Sequence, residues 1–191
     1  MVEIVDFAVR ATGIDGLVVL TMKQVTDDRG TVREFYRESA FVDAGLPSLG
    51  PWVQVNVTET RRGAIRGMHG EQMHKLVAVA AGRGFGAYVD SRPDSPSAGE
   101  VEVVELTPGT QVLVPPGVCN GFQSCSESMQ YVYCFDQEWQ PGMAGVAVNP
   151  LDPELAIVWP EPFDADDPTM VSAKDRGAPS LAEVLRADDS R

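Results

Sequence analysis

Short runs of apolar or alternating residues, separated by glycine, proline, aspartate and serine, recur along this chain. Helical periodicity is scarce, and the runs have the length of strands. Short strands at this spacing predict an all-β antiparallel sandwich or barrel rather than a parallel α/β sheet. The runs are Leu17–Leu20, Trp52–Val57, Leu76–Ala80, Gly86–Asp90, Val101–Leu106, Gln111–Val114 and Met129–Cys134.

Two segments carry the end signals of short helices. The run Ser39–Gly45 opens with a serine suited to N-capping and closes with a glycine suited to ending a helix. The run Ser180–Leu185 predicts a second helix, which begins at Pro179 or Ser180. Helices should therefore be few and short, and should lie mainly near the C-terminus.

The length and composition are typical of one domain. The chain has 191 residues, of which 43 % are hydrophobic, enough for a sizeable core. An acidic, proline-rich stretch at residues 160–168 precedes the second predicted helix. We expect a single domain over residues 1–191, in which residues 160–191 form a C-terminal extension that packs on the rest.

Charge and hydropathy exclude several classes of partner. The formal net charge is -13, whereas a nucleic-acid-binding surface requires basic patches. One anionic small molecule stays compatible, provided that arginine and lysine cluster locally. No apolar run is long enough to span a bilayer, and the N-terminal residues lack the features of a signal peptide. Together with three cysteines that lack framework spacing, these features predict a cytoplasmic protein without nucleic-acid or membrane partners.

Histidine is scarce, since the chain contains only His69 and His74, and its cysteines show no C-x-x-C spacing. A metal site in a β-rich domain usually needs several imidazoles or closely spaced thiolates, so we expect no metal. An unperturbed imidazole titrates near neutrality. If the chain is an enzyme, His69 is therefore a candidate proton carrier rather than a metal ligand.

Several short motifs follow one another in a recognisable order over nearly the whole chain. They are Asp28-Arg29-Gly30 with Glu34, Gln54-Val55-Asn56, Arg62–His69, Lys75-Leu76-Val77, Pro115-Pro116-Gly117 with Gly121-Phe122, Tyr133, Asn149–Pro153, Trp159-Pro160 and Lys174-Asp175. This order resembles the dTDP-4-dehydrorhamnose 3,5-epimerase family, which belongs to the cupin-like jelly rolls. One such motif would be weak evidence, whereas the ordered set is strong evidence for family and fold.

The resemblance implies a jelly-roll β-sandwich and a metal-free isomerase without cofactors, usually a homodimer, that acts on a dTDP-linked 4-keto-6-deoxyhexose. The 4-keto group of such a sugar acidifies the C–H bonds at C3 and C5. Epimerisation then requires a base on one face, an acid on the other, and stabilisation of the enolate between them. The product would enter deoxysugar biosynthesis, for rhamnose or for a secondary-metabolite sugar.

By resemblance, four residues carry the chemistry. His69 matches the base, and Asp175 matches the carboxylate that orients the imidazole and stabilises the imidazolium. Tyr133 matches the proton donor, and Lys75 is placed near the sugar, where it would stabilise the enolate oxygen. Tyr131 has the same strand parity as Tyr133 and is the alternative donor. Each residue also has an ordinary structural interpretation, as a satisfied histidine, a loop aspartate or a core aromatic.

A second set of residues, again by resemblance, binds the nucleotide and the sugar. Arginine suits a diphosphate because its guanidinium binds oxygens bidentately, and the family stacks an aromatic ring on the thymine at one of these positions, Trp139. In so acidic a protein, any single arginine is also explained by a surface ion pair. The set consists of Arg29, Glu34, Gln54, Asn56, Arg66, Asn120, Trp139 and Lys174.

The chain departs from the family pattern around the sugar pocket. The family usually has a histidine where this chain has Asn120, and asparagine cannot shuttle a proton at neutral pH. The segment Gly70-Glu71-Gln72 replaces the usual aromatic residue and glutamine, and Ala144 stands where a glutamate is expected. The alternatives are therefore an enzyme that inverts C3 only or C5 only, and a non-catalytic homologue that binds nucleotide sugars.

The resemblance further implies that N-terminal strands pair across the homodimer and carry residues into the neighbour's pocket. Two glycines make Gly13–Gly16 a poor candidate for that strand, because glycine weakens a strand interior. The run Leu17–Thr21 is the better candidate. Exposed strand edges favour such pairing.

Overall fold

In a computed structural model, which describes residues 1–188, the chain consists mainly of β-strands. The strands are β1 (Glu3–Val5), β2 (Ala8–Ala11), β3 (Val18–Thr21), β4 (Lys23–Asp27), β5 (Gly30–Glu34), β6 (Gln54–Thr60), β7 (Ile65–Glu71), β8 (Lys75–Ala81), β9 (Gly84–Asp90), β10 (Val101–Leu106), β11 (Thr110–Val114), β12 (Val118–Ser124), β13 (Met129–Phe135) and β14 (Gly145–Ala147). The helices are α1 (Glu38–Asp43), α2 (Ala173–Arg176) and α3 (Leu181–Asp188), with one 3-10 turn at Pro153–Leu155.

These strands form three sheets. A six-stranded sheet has the order β2-β3-β11-β8-β13-β6, a five-stranded sheet the order β10-β9-β12-β7-β14, and a small sheet the order β1-β4-β5. Neighbouring strands in all three sheets are antiparallel. The two larger sheets share one core, in which Val77 and Tyr131 of the first meet Tyr88 and Phe122 of the second. They therefore form a β-sandwich, and the predicted all-β jelly-roll class is confirmed.

Two strands of the sandwich, β7 and β12, were not evident as strands from the sequence. Both contain glycines, which depress the strand signal. The structure gives the reason at one crossing: a Cβ added to Gly67 would lie 2.5 Å from the Cα of Gly121, and Gly67 has a φ of 116°. Glycine at this position therefore lets the two backbones approach closely, at the strand that also carries His69.

The prediction that Leu17–Thr21 is the strand that pairs across the dimer is wrong. Within the run Leu17–Thr21, residues Val18–Thr21 form β3, which is hydrogen-bonded to β2 on one side and to β11 on the other. Both of its edges are therefore occupied within the chain, and the open edges of this sheet are β2 and β6. The sequence did not reveal β2, because the four residues of Ala8–Ala11 form a short, fully exposed strand with no buried face to mark it.

Both predicted helices exist, with one correction at an N-terminus. The residue that caps α1 is Arg37, whose side chain makes no capping bond, so the prediction of Ser39 as N-cap is wrong. Gly45 ends that helix as expected: its φ is 77°, and its N–H donates to the Val42 carbonyl at 2.9 Å. Ser180 caps α3 through a reciprocal pair with Glu183, in which the Ser180 N–H donates to the Glu183 carboxylate at 2.8 Å.

The C-terminal segment contacts the five-stranded sheet. Gln123 of β12 donates to the Glu161 carbonyl and accepts from the Glu161 N–H, each at 2.9 Å. Further along, Val171 forms a parallel bridge with Ile65 of β7, and Leu181 of α3 packs in a cluster with Met68. These contacts bring α2 against β7, the strand that carries His69. None of the helices within residues 1–188 is long and apolar enough to cross a membrane.

Candidate active site

A cavity of about 1340 Å³ opens between the two larger sheets. Side chains of alternate residues share a face of a strand, and the three alternate residues Tyr131, Tyr133 and Phe135 of β13 all line this cavity. The wall combines strands of both sheets with helix α2 and with the loops that precede β7, β14 and α2. Its polar members include Asn56, Thr58 and Thr60 of β6, Arg66, His69 and Glu71 of β7, Lys75 of β8, Asn120 of β12, Lys174 and Asp175 of α2, and Trp139 of the loop before β14.

A histidine–aspartate pair stands in this wall. His69 Nε2 lies 2.8 Å from Asp175 Oδ1, although 106 residues separate the two in sequence. The Asp175 side chain is only 8 % exposed. Burial opposes its ionisation, but hydrogen bonds from His69, the Ser172 hydroxyl and the Gly67 N–H outweigh burial, so the pKa of Asp175 is below its usual value. The carboxylate is therefore ionised at neutral pH and able to stabilise a protonated His69.

Asp175 is held in place by α2, a helix that the sequence did not predict. The Ser172 hydroxyl accepts a hydrogen bond from the Asp175 N–H at 3.1 Å and so caps the helix. The helix has only four residues, which is too short for an apolar period to show in the sequence. The signal that was available is the cap itself, a serine three residues before an acidic residue.

Of the two candidate tyrosines, Tyr133 has the more accessible hydroxyl. Its Oη lies 3.0 Å from the Thr58 hydroxyl on the neighbouring strand β6. Tyr131 is 2 % exposed and stacks on Phe122 with ring centroids 4.1 Å apart. Burial also raises the pKa of Tyr131 far above its ordinary value. The geometry therefore favours Tyr133 as the group that meets a ligand, while Tyr131 forms part of the core.

Lys75 enters the cavity wall from β8 and is 4 % exposed. Its ammonium donates to the Glu71 carboxylate at 2.5 Å and to the His69 backbone carbonyl at 3.0 Å. Sequence reasoning selected Lys75 but treated Glu71 only as a departure from the family pattern. The spacing of four residues between Glu71 and Lys75, across a turn between two strands, was the one sequence signal that could have predicted this ion pair.

Most of the predicted binding residues also lie at the cavity. Arg66 donates from Nε to the Thr60 hydroxyl at 3.0 Å. Gln54 supports the wall from behind, because its Oε1 accepts the Trp139 backbone N–H at 2.7 Å and its amide donates to Asn56 at 3.3 Å. Trp139 is 45 % exposed and lines the cavity, so it is accessible to a ligand.

Asn120 lies directly across from His69, as its partner in the ladder between β12 and β7. It lines the cavity at the place where the sequence departs from the family pattern. Its amide can hydrogen-bond a ligand but carries no charge and transfers no proton at neutral pH. Two neighbouring departures, Gly70 and Glu71, line the same cavity.

Three of the predicted binding residues do not line this cavity, namely Gln54, Arg29 and Glu34. Arg29, in the turn between β4 and β5, pairs with Asp27 at 2.6 Å, whereas Glu34, at the other end of β5, pairs with Arg37. Neither lines the cavity of its own chain. Conversely, the exposed Arg61 does line it and was not predicted.

Within the part of the chain that the structure describes, no group of three or more His, Cys, Asp or Glu side chains is arranged to hold a metal ion. The second histidine, His74, instead pairs with Asp136 outside the cavity, with 2.9 Å between Nδ1 and Oδ2. Thus each of the two histidines has a carboxylate as its partner.

Comparison with known proteins identifies a family match over most of the chain. The profile of the dTDP-4-dehydrorhamnose 3,5-epimerase family matches residues 11–183. A dTDP-4-dehydrorhamnose 3,5-epimerase of Streptomyces griseus is 34 % identical over 183 residues, which cover 93 % of this chain and 88 % of that protein. Relatives of this kind are isomerases.

Two solved structures have a similar fold. NovW, a 4-keto-6-deoxy sugar epimerase from the novobiocin biosynthetic gene cluster of Streptomyces spheroides, is 30 % identical with a TM-score of 0.86, covering 96 % of this chain and 92 % of its own. ChmJ, a 3'-monoepimerase of Streptomyces bikiniensis in complex with dTDP-quinovose, is 31 % identical with a TM-score of 0.84, covering 94 % and 90 %. The chain is therefore similar both to 3,5-epimerases and to an enzyme that inverts one centre.

Proposed function

Because the chain belongs to the dTDP-4-dehydrorhamnose 3,5-epimerase family, we propose that it epimerises a dTDP-4-keto-6-deoxyhexose at C3, at C5 or at both. The reaction proceeds through an enolate, without a metal ion or other cofactor. His69 removes the proton next to the keto carbon, and Tyr133 returns a proton to the opposite face. The product enters deoxysugar biosynthesis, in which the named relatives act.

One observation carries this proposal: a base and an acid line the same cavity from two different sheets. His69 stands on β7 of the five-stranded sheet, and Tyr133 on β13 of the six-stranded sheet. A sugar ring between them would expose one face to each group, as inversion requires. Asp175 holds Nε2 of His69, so Nδ1 is the ring nitrogen that accepts the substrate proton.

The remaining polar residues of the wall suit the nucleotide and the enolate. Lys75 lies beside His69, where an ammonium stabilises the negative charge that develops on the 4-keto oxygen. Arg66 and Lys174 bind the diphosphate, and Trp139 stacks on the thymine. Asn56 forms the remaining part of the nucleotide and sugar pocket, where Gln54 supports it through a hydrogen bond, and Asn120 lies next to the sugar.

A homodimer would complete this pocket. The small sheet exposes apolar residues such as Ile4 and Val32, and the open-edged strand β6 exposes Val55 and Val57. Contiguous apolar surface next to an unpaired strand edge favours association with a second chain. We propose that the small sheet covers β6 of the partner and thereby brings Arg29 and Glu34 to the partner's cavity.

An enzyme that inverts a single centre is the second candidate, and Asn120 favours it. This residue faces His69 across the ladder and replaces an imidazole with a group that transfers no proton. ChmJ, which has a similar fold, is a 3'-monoepimerase. If two proton transfers required two imidazoles, this chain would retain only one of them.

The test is proton NMR of dTDP-4-keto-6-deoxyglucose in D2O with the purified protein and with a His69→Ala variant. Exchange at both C3 and C5 that is lost in the variant supports the 3,5-epimerase. Exchange at one carbon supports the single-centre enzyme and makes Asn120→His the next variant. Tight dTDP binding with no exchange at either carbon would refute catalysis on this substrate and support a binding role.

A further inference from the structure

Glu71 is a carboxylate in the cavity wall that none of the proposed proton transfers uses. It follows His69 by two residues on β7, so both side chains share a strand face, and both line the cavity. Its side chain is 16 % exposed, and its Oε2 lies 2.5 Å from the Lys75 Nζ. The contact spans the turn from β7 to β8, directly beside the proposed base.

Most of the N–H donors of the Lys75 ammonium are occupied by hydrogen bonds within the protein. An ammonium has three N–H donors and no acceptor. One donates to Glu71, and a second donates to the His69 carbonyl at 3.0 Å. In the described structure, these two acceptors leave one N–H, on a side chain that borders the cavity. The two bonds together fix the direction of the third.

We propose that Glu71 is the positioning residue for Lys75, and that it aims the remaining N–H at the 4-keto oxygen of the bound sugar. This inference rests on the proposed function, since it assigns a target for that N–H. A donor held in place before the reaction stabilises a developing oxyanion without having to reorganise. Glu71 thus acts through Lys75 and takes no part in proton transfer.

A purely structural ion pair is the alternative explanation. A buried ammonium requires a charged or hydrogen-bonded partner wherever it lies. In that case removal of Glu71 would lower stability and nucleotide binding together with the rate. A positioning role instead predicts that turnover falls while stability and nucleotide binding are kept, because substrate binding depends on other residues.

The experiment compares Glu71→Gln with the wild type and with Glu102→Gln. Glutamine keeps the size of the side chain and one hydrogen-bond acceptor but removes the charge. Glu102 of β10 is the matched control, because it also pairs with a basic side chain, that of Arg10 at 3.1 Å, but does not line the cavity. The readouts are kcat and KM for deuterium exchange into dTDP-4-keto-6-deoxyglucose, the Kd for dTDP, and the Tm.

We expect Glu71→Gln to lower kcat by roughly 10- to 100-fold, the cost of a misplaced catalytic group, with KM and the dTDP Kd within about threefold of the wild type. Glu102→Gln should match the wild type in all four readouts. A kcat for Glu71→Gln that is unchanged or higher would overturn the inference. Parallel losses of rate, dTDP binding and Tm would also overturn it, in favour of the structural ion pair.

A double-mutant cycle with Lys75→Met tests whether Glu71 acts through that lysine. If it does, Glu71→Gln should change the rate of the Lys75→Met protein by less than about twofold, since its target is gone. Equal losses in both backgrounds would overturn the positioning role. If Lys75→Met has no measurable exchange, the comparison of single variants decides by itself. A wild-type protein without exchange would instead refute the proposed function, and with it this inference.

Discussion

Replacement of Asp175 by asparagine should slow proton abstraction by His69 and leave nucleotide binding intact. Asp175 is buried and ionised, with its oxygen 2.8 Å from His69 Nε2. When His69 takes a proton, the new imidazolium gains the attraction of this carboxylate. Asparagine removes the charge, and its amide N–H can also place the imidazole proton on the wrong nitrogen.

The magnitude follows from the separation of the charges. The charges are spread over a ring and a carboxylate, so their centres lie about 4 Å apart, which corresponds to about 4 kcal/mol at an effective dielectric constant of about 20. That energy corresponds to a factor of about 10³ in rate. Since His69 is 40 % exposed, solvent weakens the attraction. We therefore expect deuterium exchange to slow by about 10²- to 10³-fold.

The chain supplies its own control for this experiment. His74 and Asp136 form a second histidine–aspartate pair with 2.9 Å between the paired atoms, outside the cavity. The exchange rate of Asp136→Asn should stay within about threefold of the wild type. Initial exchange rates by NMR and dTDP binding by calorimetry are measured for both variants. An Asp175→Asn protein as fast as the wild type, or an equal loss in Asp136→Asn, would refute the role of the pair.

Three further predictions test the proton donor, the dimer interface and the hydrogen-bonded carboxylate of Asp90. Tyr133→Phe should lower epimer formation by about 10²- to 10⁴-fold, while His69 still exchanges deuterium with retained configuration. NMR of the recovered sugar measures the two rates, and equal losses of epimer formation and of exchange would contradict Tyr133 as the proton donor. Val57→Glu, on the open edge of the sheet, should give a monomer by light scattering; an unchanged dimer mass would contradict the proposed interface. Burial opposes ionisation of Asp90, but bonds from Arg92, Ser95 and Ser97 lower its pKa from 3.8 to about 2. The ionised Asp90 should therefore contribute about 2 kcal/mol to the free energy of unfolding above about pH 4, and this contribution should be lost as the pH falls to about 2. Urea unfolding measured across this pH range should show the loss in the wild type and not in Asp90→Asn.

The local hydrophobic pattern was enough to predict strands that are buried on both faces. The runs Leu76–Ala80 and Gln111–Val114 are continuous apolar or alternating segments, and both lie in the buried middle of the six-stranded sheet. It failed for β7 and β12, whose glycines allow the backbones to approach and weaken the strand signal. It also failed for α2, since four residues are too few for a helical period.

The sequence by itself determined the family and the all-β class and identified the candidate base, acid and lysine, because ordered motifs can be read along the chain. Only the tertiary structure decided which of these residues meet. Asp175 reaches His69 across 106 residues because α2 docks against β7, and Glu71 pairs with Lys75 because a strand turn brings them together. Arg29 and Glu34 lie away from their own chain's cavity. Such contacts depend on sheet register and packing between distant segments, which the pattern along one strand does not specify.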